Sequence, residues 1–349
     1  MLHDKKNTAH GSGYGQVRQR AVSRRSFVKT TAITAAAMAL GLPARARETH
    51  DVVRTPDERF RDLPGFTFPP SYIDSLPGYE GLRAHYLDLG PRDAKQTFLC
   101  LHGEPTWCYL YRKMIPVMLQ SGARVIAPDW FGFGRSDKPT KLETYTFHFH
   151  RNYMLRLVEH LDLRNITLVV QDWGGMLGLT LPADAGFRGR LARLIVMNTV
   201  IPVGTPLDKS FYEWRERVRT TPDLPVGAYL RSVVPQLSAA EGAAYDAPFP
   251  DVTYKAGVRT FPSLVMVEPG MEGIDEAKAA AGFWSKDWSG PTFMAVGELD
   301  TNLGLKTMLP LSKTIRGCPE PMRIKDAGHF VQEWGEPIAR AALHTFGDS

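Results

Sequence analysis

The stretch Val169-Val170-Gln171-Asp172-Trp173-Gly174-Gly175 constrains this chain more than any other. An apolar run ends on an acid, and glycines follow where a helix-like segment begins. Such a pattern reads as a strand entering a strained turn and leaving as a helix. The central side chain is presented outward, and small neighbours let the backbone pass. Here that side chain is a carboxylate, not the hydroxyl of a G-x-S-x-G turn. The plain alternative is an Asp that caps the following helix, and the motif alone leaves the two equal.

Around this turn, short apolar or β-branched runs recur. Thr97–Leu101, Arg124–Ala127, Ile166–Val170, Leu194–Met197, Thr292–Val296 and Met322–Ile324 read as buried strands. Between them, Phe147–Leu161 places Tyr153, Leu157, Val158 and Leu161 at helical spacing, and Ile338–Phe346 reads as a last helix. Strands separated by helices imply an α/β protein with a mostly parallel central sheet covered by helices on both faces. The alternation breaks over 203–280, which is rich in Pro, Tyr and charge and holds helical pieces such as Phe211–Val218 and Val226–Val233. We read it as an inserted helical cap. The core is then 47–202 plus 281–349, with the cap over the strand ends where such sheets bind ligands.

Further motifs follow strands. Leu101-His102-Gly103-Glu104-Pro105-Thr106-Trp107 supplies a turn whose backbone N–H can aim at the elbow; with the N–H of Trp173 it would form an oxyanion hole. The bland reading is a tight turn with a structural His102. Gly297-Glu298-Leu299-Asp300 ends one strand, and Asp326-Ala327-Gly328-His329-Phe330 follows the last. The order Asp172, Asp300, His329 is nucleophile, acid, base, which is the chain order of the α/β-hydrolase triad.

Charge excludes several classes of function. Residues 1–46 carry eight Lys/Arg against the single acid Asp4, while the remainder carries 34 basic and 36 acidic residues. The basic balance belongs to the leader, and a nearly neutral body offers no electrostatic case for nucleic acid or anionic membrane. The leader has an Arg24-Arg25 pair with Phe27 and Lys29, a weakly apolar run Thr30–Leu42, then Ala44-Arg45-Ala46. That order resembles a twin-arginine export signal. It predicts a mature chain beginning near Arg47 and a periplasmic or secreted protein. The bland reading is a basic tail. Cys100, Cys108 and Cys318 exclude a disulfide framework and show no zinc spacing. No apolar run reaches the roughly 18 residues of a membrane span. Neither cofactor nor metal is expected, and a monomer is the default.

From Arg54 onward the chain resembles the haloalkane dehalogenases, in the subfamily with two tryptophans on the halide and an Asp as triad acid. The similar segments are Arg54–Phe60, Leu76–Tyr86, the His102 turn, Asp129–Pro139, the Asp172 elbow, Ala247–Asp251 and Asp326–Glu333. The resemblance implies Asp172 as nucleophile, His329 as base and Asp300 as triad acid. It implies Glu104 and Trp173 as backbone oxyanion donors, and Trp173 and Trp214 as halide-binding indoles. The implied partners are a small halogenated alkane, water and halide. Trp214 has a plainer reading, since Phe211 and Trp214 share a face of one cap helix at i, i+3. Phe131, Met176, Phe211, Phe261, Pro262, Val265 and Leu303 are expected to shape the pocket. Two departures stand out: the segment after Asn198 looks shorter than in well-known relatives, and Asn302 is polar where an apolar pocket residue is expected.

The nearest rival is an epoxide hydrolase with the same Asp nucleophile and cap tyrosines as acids, for which Tyr212, Tyr229, Tyr245 and Tyr254 are available. A serine esterase is excluded if Asp172 is the nucleophile. A non-catalytic hydrolase shell fits poorly with a complete set of triad candidates.

Overall fold

The apolar runs join into one eight-stranded sheet. The computed structural model describes residues 51–348, so the export-signal reading of 1–46 lies outside the described residues. The strands are β1 (Ser71–Ile73), β2 (Ala84–Leu89), β3 (Thr97–Leu101), β4 (Arg124–Pro128), β5 (Ile166–Gln171), β6 (Leu191–Met197), β7 (Thr292–Gly297) and β8 (Met322–Ile324). Their spatial order is β8-β7-β6-β5-β3-β4-β2-β1. From β3 to β8 the neighbours pair in parallel. Every residue of β3, β5 and β7 is buried, as expected of strands covered on both faces. The six runs read as strands are strands, four of them extended by one to three residues; Met322–Ile324, expected to be buried, is instead an edge strand whose residues are half-buried or exposed.

Sequence reasoning missed the antiparallel edge. β1 pairs with β2, and β2 with β4. β1 spans only three residues, and β2 mixes Tyr86 and Leu87 with His85 and Asp88. Asp88 is polar because it holds Arg124 of the neighbouring strand in a two-pronged ion pair at 2.7 and 2.8 Å. That pairing obscures the alternation a strand would otherwise display.

Parallel pairing points the carboxyl ends of β3 to β8 in one direction. The His102 turn, the Asp172 elbow, Asn198, Asp300 and the His329 loop all leave those ends. Helices Lys209–Thr220, Val226–Val233, Ala239–Asp246 and Ala256–Leu264 occupy the inserted stretch. The first packs on the fourth and the second on the third. The helix Ile274–Gly282 packs instead against the Leu181–Ala183 turn of the core. His148, on the core helix Phe147–His160, adds a second contact through Glu272 and Glu276 at 2.9 and 2.8 Å.

One buried cluster joins the cap to the core. Arg112 spans Glu333 at 2.7 and 2.8 Å and reaches Glu241 of the cap at 2.7 Å. Tyr245, on the same cap helix, donates to Glu333. Glu333 follows His329 by four residues, so one guanidinium ties the cap to the loop carrying the predicted base. Removing one partner from a buried pair strands the other charge, at a cost of about 3–5 kcal/mol. We therefore expect Arg112→Met to lower unfolding stability by about 3 kcal/mol or more in urea titration. A loss under about 1 kcal/mol would show that Lys113, which also reaches Glu333 at 2.9 Å, compensates the charge.

Candidate active site

β5 delivers Asp172 into a conformation that side chains rarely adopt, with φ 49° and ψ −126°. The strain is held from all sides. Asp172 N–H donates to the Asn198 carbonyl at 3.0 Å, and Thr199 Oγ1 donates to the Asp172 carbonyl at 2.8 Å. The adjacent glycines have no alternative. A Cβ on Gly174 would lie 1.9 Å from the Leu101 carbonyl oxygen, and one on Gly175 would lie 2.1 Å from Thr199 Oγ1. The helix Trp173–Gly178 begins immediately. Asp172 makes no side-chain cap to it, which sets aside the capping reading.

The His102 turn is positioned by its own imidazole. Nδ1 bonds the Gly103 carbonyl at 3.0 Å, so Nε2 is free to accept from the Trp130 backbone N–H at 3.1 Å. Burial lowers the His102 pKa against the nearby Asp129 carboxylate, keeping the ring neutral for this role. His102 is thus structural. The turn it fixes brings Glu104 N–H to Asp172 Oδ1 at 2.8 Å. The Trp173 N–H opens the helix, where first-turn amides have no intrahelical partner.

His329 closes the arrangement. Its Nε2 lies 3.3 Å from Asp172 Oδ2, and its Nδ1 lies 2.7 Å from Asp300 Oδ2. Asp300 receives Asn198 Nδ2 at 2.9 Å and the N–H groups of Asn302 and Leu303 at 2.8 and 3.0 Å. Burial alone would raise the Asp300 carboxyl; His329 and these donors overcome it and bring the pKa to about 2. For His329, burial opposes the charged ring, yet Asp300 and Asp172 outweigh it and raise the pKa to about 10. Both carboxylates thus favour the charged form of the ring.

Above these groups lies a cavity of about 530 Å³. Glu104, Asp172, Trp173, Trp214, Tyr229 and His329 line it, with Met176, Phe211, Pro262, Val265 and Leu303 among the walls. Two expected pocket residues do not line it. Phe131 is fully buried against Tyr79 and Tyr153, with the Tyr153 ring centroid 4.6 Å away. Phe261 backs Trp173 edge-on at 4.8 Å and shapes the pocket only through that indole. Asn302 does line the cavity, and its Oδ1 has no partner. Trp214 stacks on Tyr229 at 4.6 Å. Of the four cap tyrosines considered, Tyr229 is the one lining the cavity, while Tyr245 is engaged by Glu333.

Sequence reasoning missed Gln171 and Asn198, and named Tyr229 only as one of four cap tyrosines. Gln171 Nε2 sits 3.0 Å from His329 Nε2 and donates to the His329 carbonyl at 3.1 Å. Gln171 and Asn198 were findable as polar residues at the carboxyl ends of otherwise apolar strands. Nothing in the sequence separated Tyr229 from its neighbours.

Fold and site together define an α/β hydrolase whose elbow carries a carboxylate, and residues 96–336 match the alpha/beta hydrolase fold family. A haloalkane dehalogenase of Psychrobacter cryohalolentis is 43% identical over 305 residues, 85% of this chain and 99% of that protein. Haloalkane dehalogenase 1 of Mycobacterium tuberculosis is 45% identical over 290 residues, 81% of this chain and 94% of its own. A solved haloalkane dehalogenase from Paraglaciecola agarilytica NO2, described as tetrameric, shares 50% identity at a TM-score of 0.82 and covers 84% of this chain and 98% of that one. The chain belongs to the haloalkane dehalogenases.

The charge balance at His329 predicts a measurable shift. Asp172→Asn removes one of the two carboxylates that favour the imidazolium. NMR titration of the His329 ring should then give a pKa well below the value near 10 set by both acids. An unchanged titration would show that Asp172 does not act on the ring.

Proposed function

We propose that this protein hydrolyses haloalkanes to an alcohol and halide through an ester on Asp172. One arrangement carries the reading. Asp172 has Oδ1 fixed by Glu104 N–H at 2.8 Å and Oδ2 3.3 Å from His329, on a cavity bordered by Trp173 and Trp214. A carbon–halogen bond presents no carbonyl to attack and requires displacement at saturated carbon. A carboxylate can do this without losing a proton, forming an alkyl ester as the halide takes the bonding pair. No acid is needed for the leaving group. Neutral donors are needed where negative charge grows, and the two indole N–H groups of Trp173 and Trp214 would supply them without a competing nucleophile.

Ester formation removes the Asp172 charge and with it part of the stabilisation of the imidazolium. His329 then gives up its proton to solvent more readily at the moment a base is required, and this is the proton that leaves with the halide. The neutral ring takes a proton from water, whose oxygen attacks the ester carbonyl carbon. Backbone N–H groups of Glu104 and Trp173 hold the oxyanion, and Asp300 stabilises the imidazolium that re-forms. Collapse releases the alcohol and restores the carboxylate. The epoxide alternative requires acid donors on the leaving oxygen, and of the cap tyrosines considered Tyr229 alone borders the cavity.

We also propose that residues 1–46 direct twin-arginine export. Replacing Arg24 and Arg25 with Lys should retain the protein in the cytoplasm with its leader uncleaved. Export of that variant, read by fractionation and mass spectrometry of the N-terminus, would remove the assignment.

For the chemistry, His329→Gln should release about one halide per enzyme and then stop. The trapped alkyl group should appear by mass spectrometry on the peptide carrying Asp172. Continued turnover would contradict the division of labour between these residues.

A further inference from the structure

Glu104 contributes more than its backbone N–H. Its side chain lines the cavity beside Asp172 and Trp214, is 4% exposed, and leaves Oε1 with no hydrogen-bond partner. An ionised carboxylate in that position would be an unpaired buried charge next to another carboxylate. It would also repel the anion this pocket has to receive. A neutral acid avoids both penalties. Its surroundings favour that form. Burial first, then the Asp172 carboxylate, push the Glu104 carboxyl well above the ordinary range, against the Trp214 indole N–H and His329. The groups facing it are Asp172 from the elbow, His329 from the loop after β8, and Trp214 and Tyr229 from the cap. None of these is a lysine or arginine. Tyr229 is itself neutral, since burial and then Glu104 raise its phenol.

We propose that Glu104 is a positioning residue of the halide site: as a neutral acid it receives the Trp214 indole N–H while the pocket is empty, and yields it to the halide as the carbon–halogen bond breaks. The inference rests on the assignment of Trp214 to halide. The acid proton stays on Glu104 throughout, and no covalent bond to it forms or breaks. The gain is an indole already turned toward the cavity by a weak neutral acceptor. A charged Glu104 would compete for the same N–H and hold it.

Infrared difference spectroscopy of the whole protein at pH 8 tests this directly. A protonated-carboxyl carbonyl band should be present and should disappear in Glu104→Gln. Adding sodium bromide should shift that band as Trp214 N–H departs, while quenching of tryptophan fluorescence reports binding independently. In Trp214→Phe the band should lie at a shifted position before any bromide is added, and bromide should move it no further. This second variant identifies the band should Glu104→Gln fail to fold. The proposal is overturned if neither variant alters a protonated-carboxyl band. It is overturned equally if the band stays fixed while quenching shows bromide bound. A band that responds to Trp214→Phe, with no bromide quenching in the parent protein, would sink the halide assignment and the exchange at Trp214 with it, while leaving the acid neutral.

Discussion

The site depends on the backbone of Asp172 being forced into a left-handed conformation at the end of β5. A residue other than glycine in such a region costs on the order of 1–3 kcal/mol. The surrounding structure has to over-determine it. β6 does so from one side, through the Asn198 carbonyl and the Thr199 hydroxyl. β3 does so from the other, by crowding Gly174 with the Leu101 carbonyl. The turn is therefore a property of three adjacent parallel strands. An aspartate cap on an ordinary helix would have needed none of this, and would have turned its carboxylate back to the helix amides rather than out to a base.

Once Asp172 is aimed, electrostatics organises the rest. His329 lies between two carboxylates whose environments differ. Asp300 is saturated by amide donors from Asn198, Asn302 and Leu303, so its charge is permanent and its task is orientation. Asp172 has one backbone donor and otherwise faces the cavity, so its charge is available for reaction. The same imidazole then changes character as Asp172 passes between carboxylate and ester. One constellation can serve two chemical steps without any group moving far.

Much of this was legible in the sequence because it is local. The elbow, the His102 turn, Asp300 and His329 each follow an apolar strand, and parallel pairing alone brings strand ends together. The illegible parts are those set by long-range packing. β2 was hidden by Asp88, whose polarity is explained only by Arg124 on the next strand. Phe131 and Phe261 look like any pocket aromatic until the structure shows them buried behind Tyr79 and Trp173. Gln171 reaches His329, 158 residues later. The side chain of Glu104 has meaning only once the cap places Trp214 over it.

The distribution of charge bears on product release as well as on chemistry. Leaving aside residues 1–46, the chain is nearly neutral, so no broad positive field retains an anion. Of the two basic side chains lining the pocket, His329 is compensated by Asp172 and Asp300, and Lys306 by Asp208. A lysine or arginine over the reacting carbon would bind the departing halide strongly and keep it. It would also pair with Asp172 and blunt the nucleophile. Neutral indole donors and a protonated Glu104 give the opposite balance: enough polarity to receive charge as it develops, and too little to hold it afterwards. The cap supplies the remaining condition, because weak neutral donors compete successfully for an anion only where water is largely excluded.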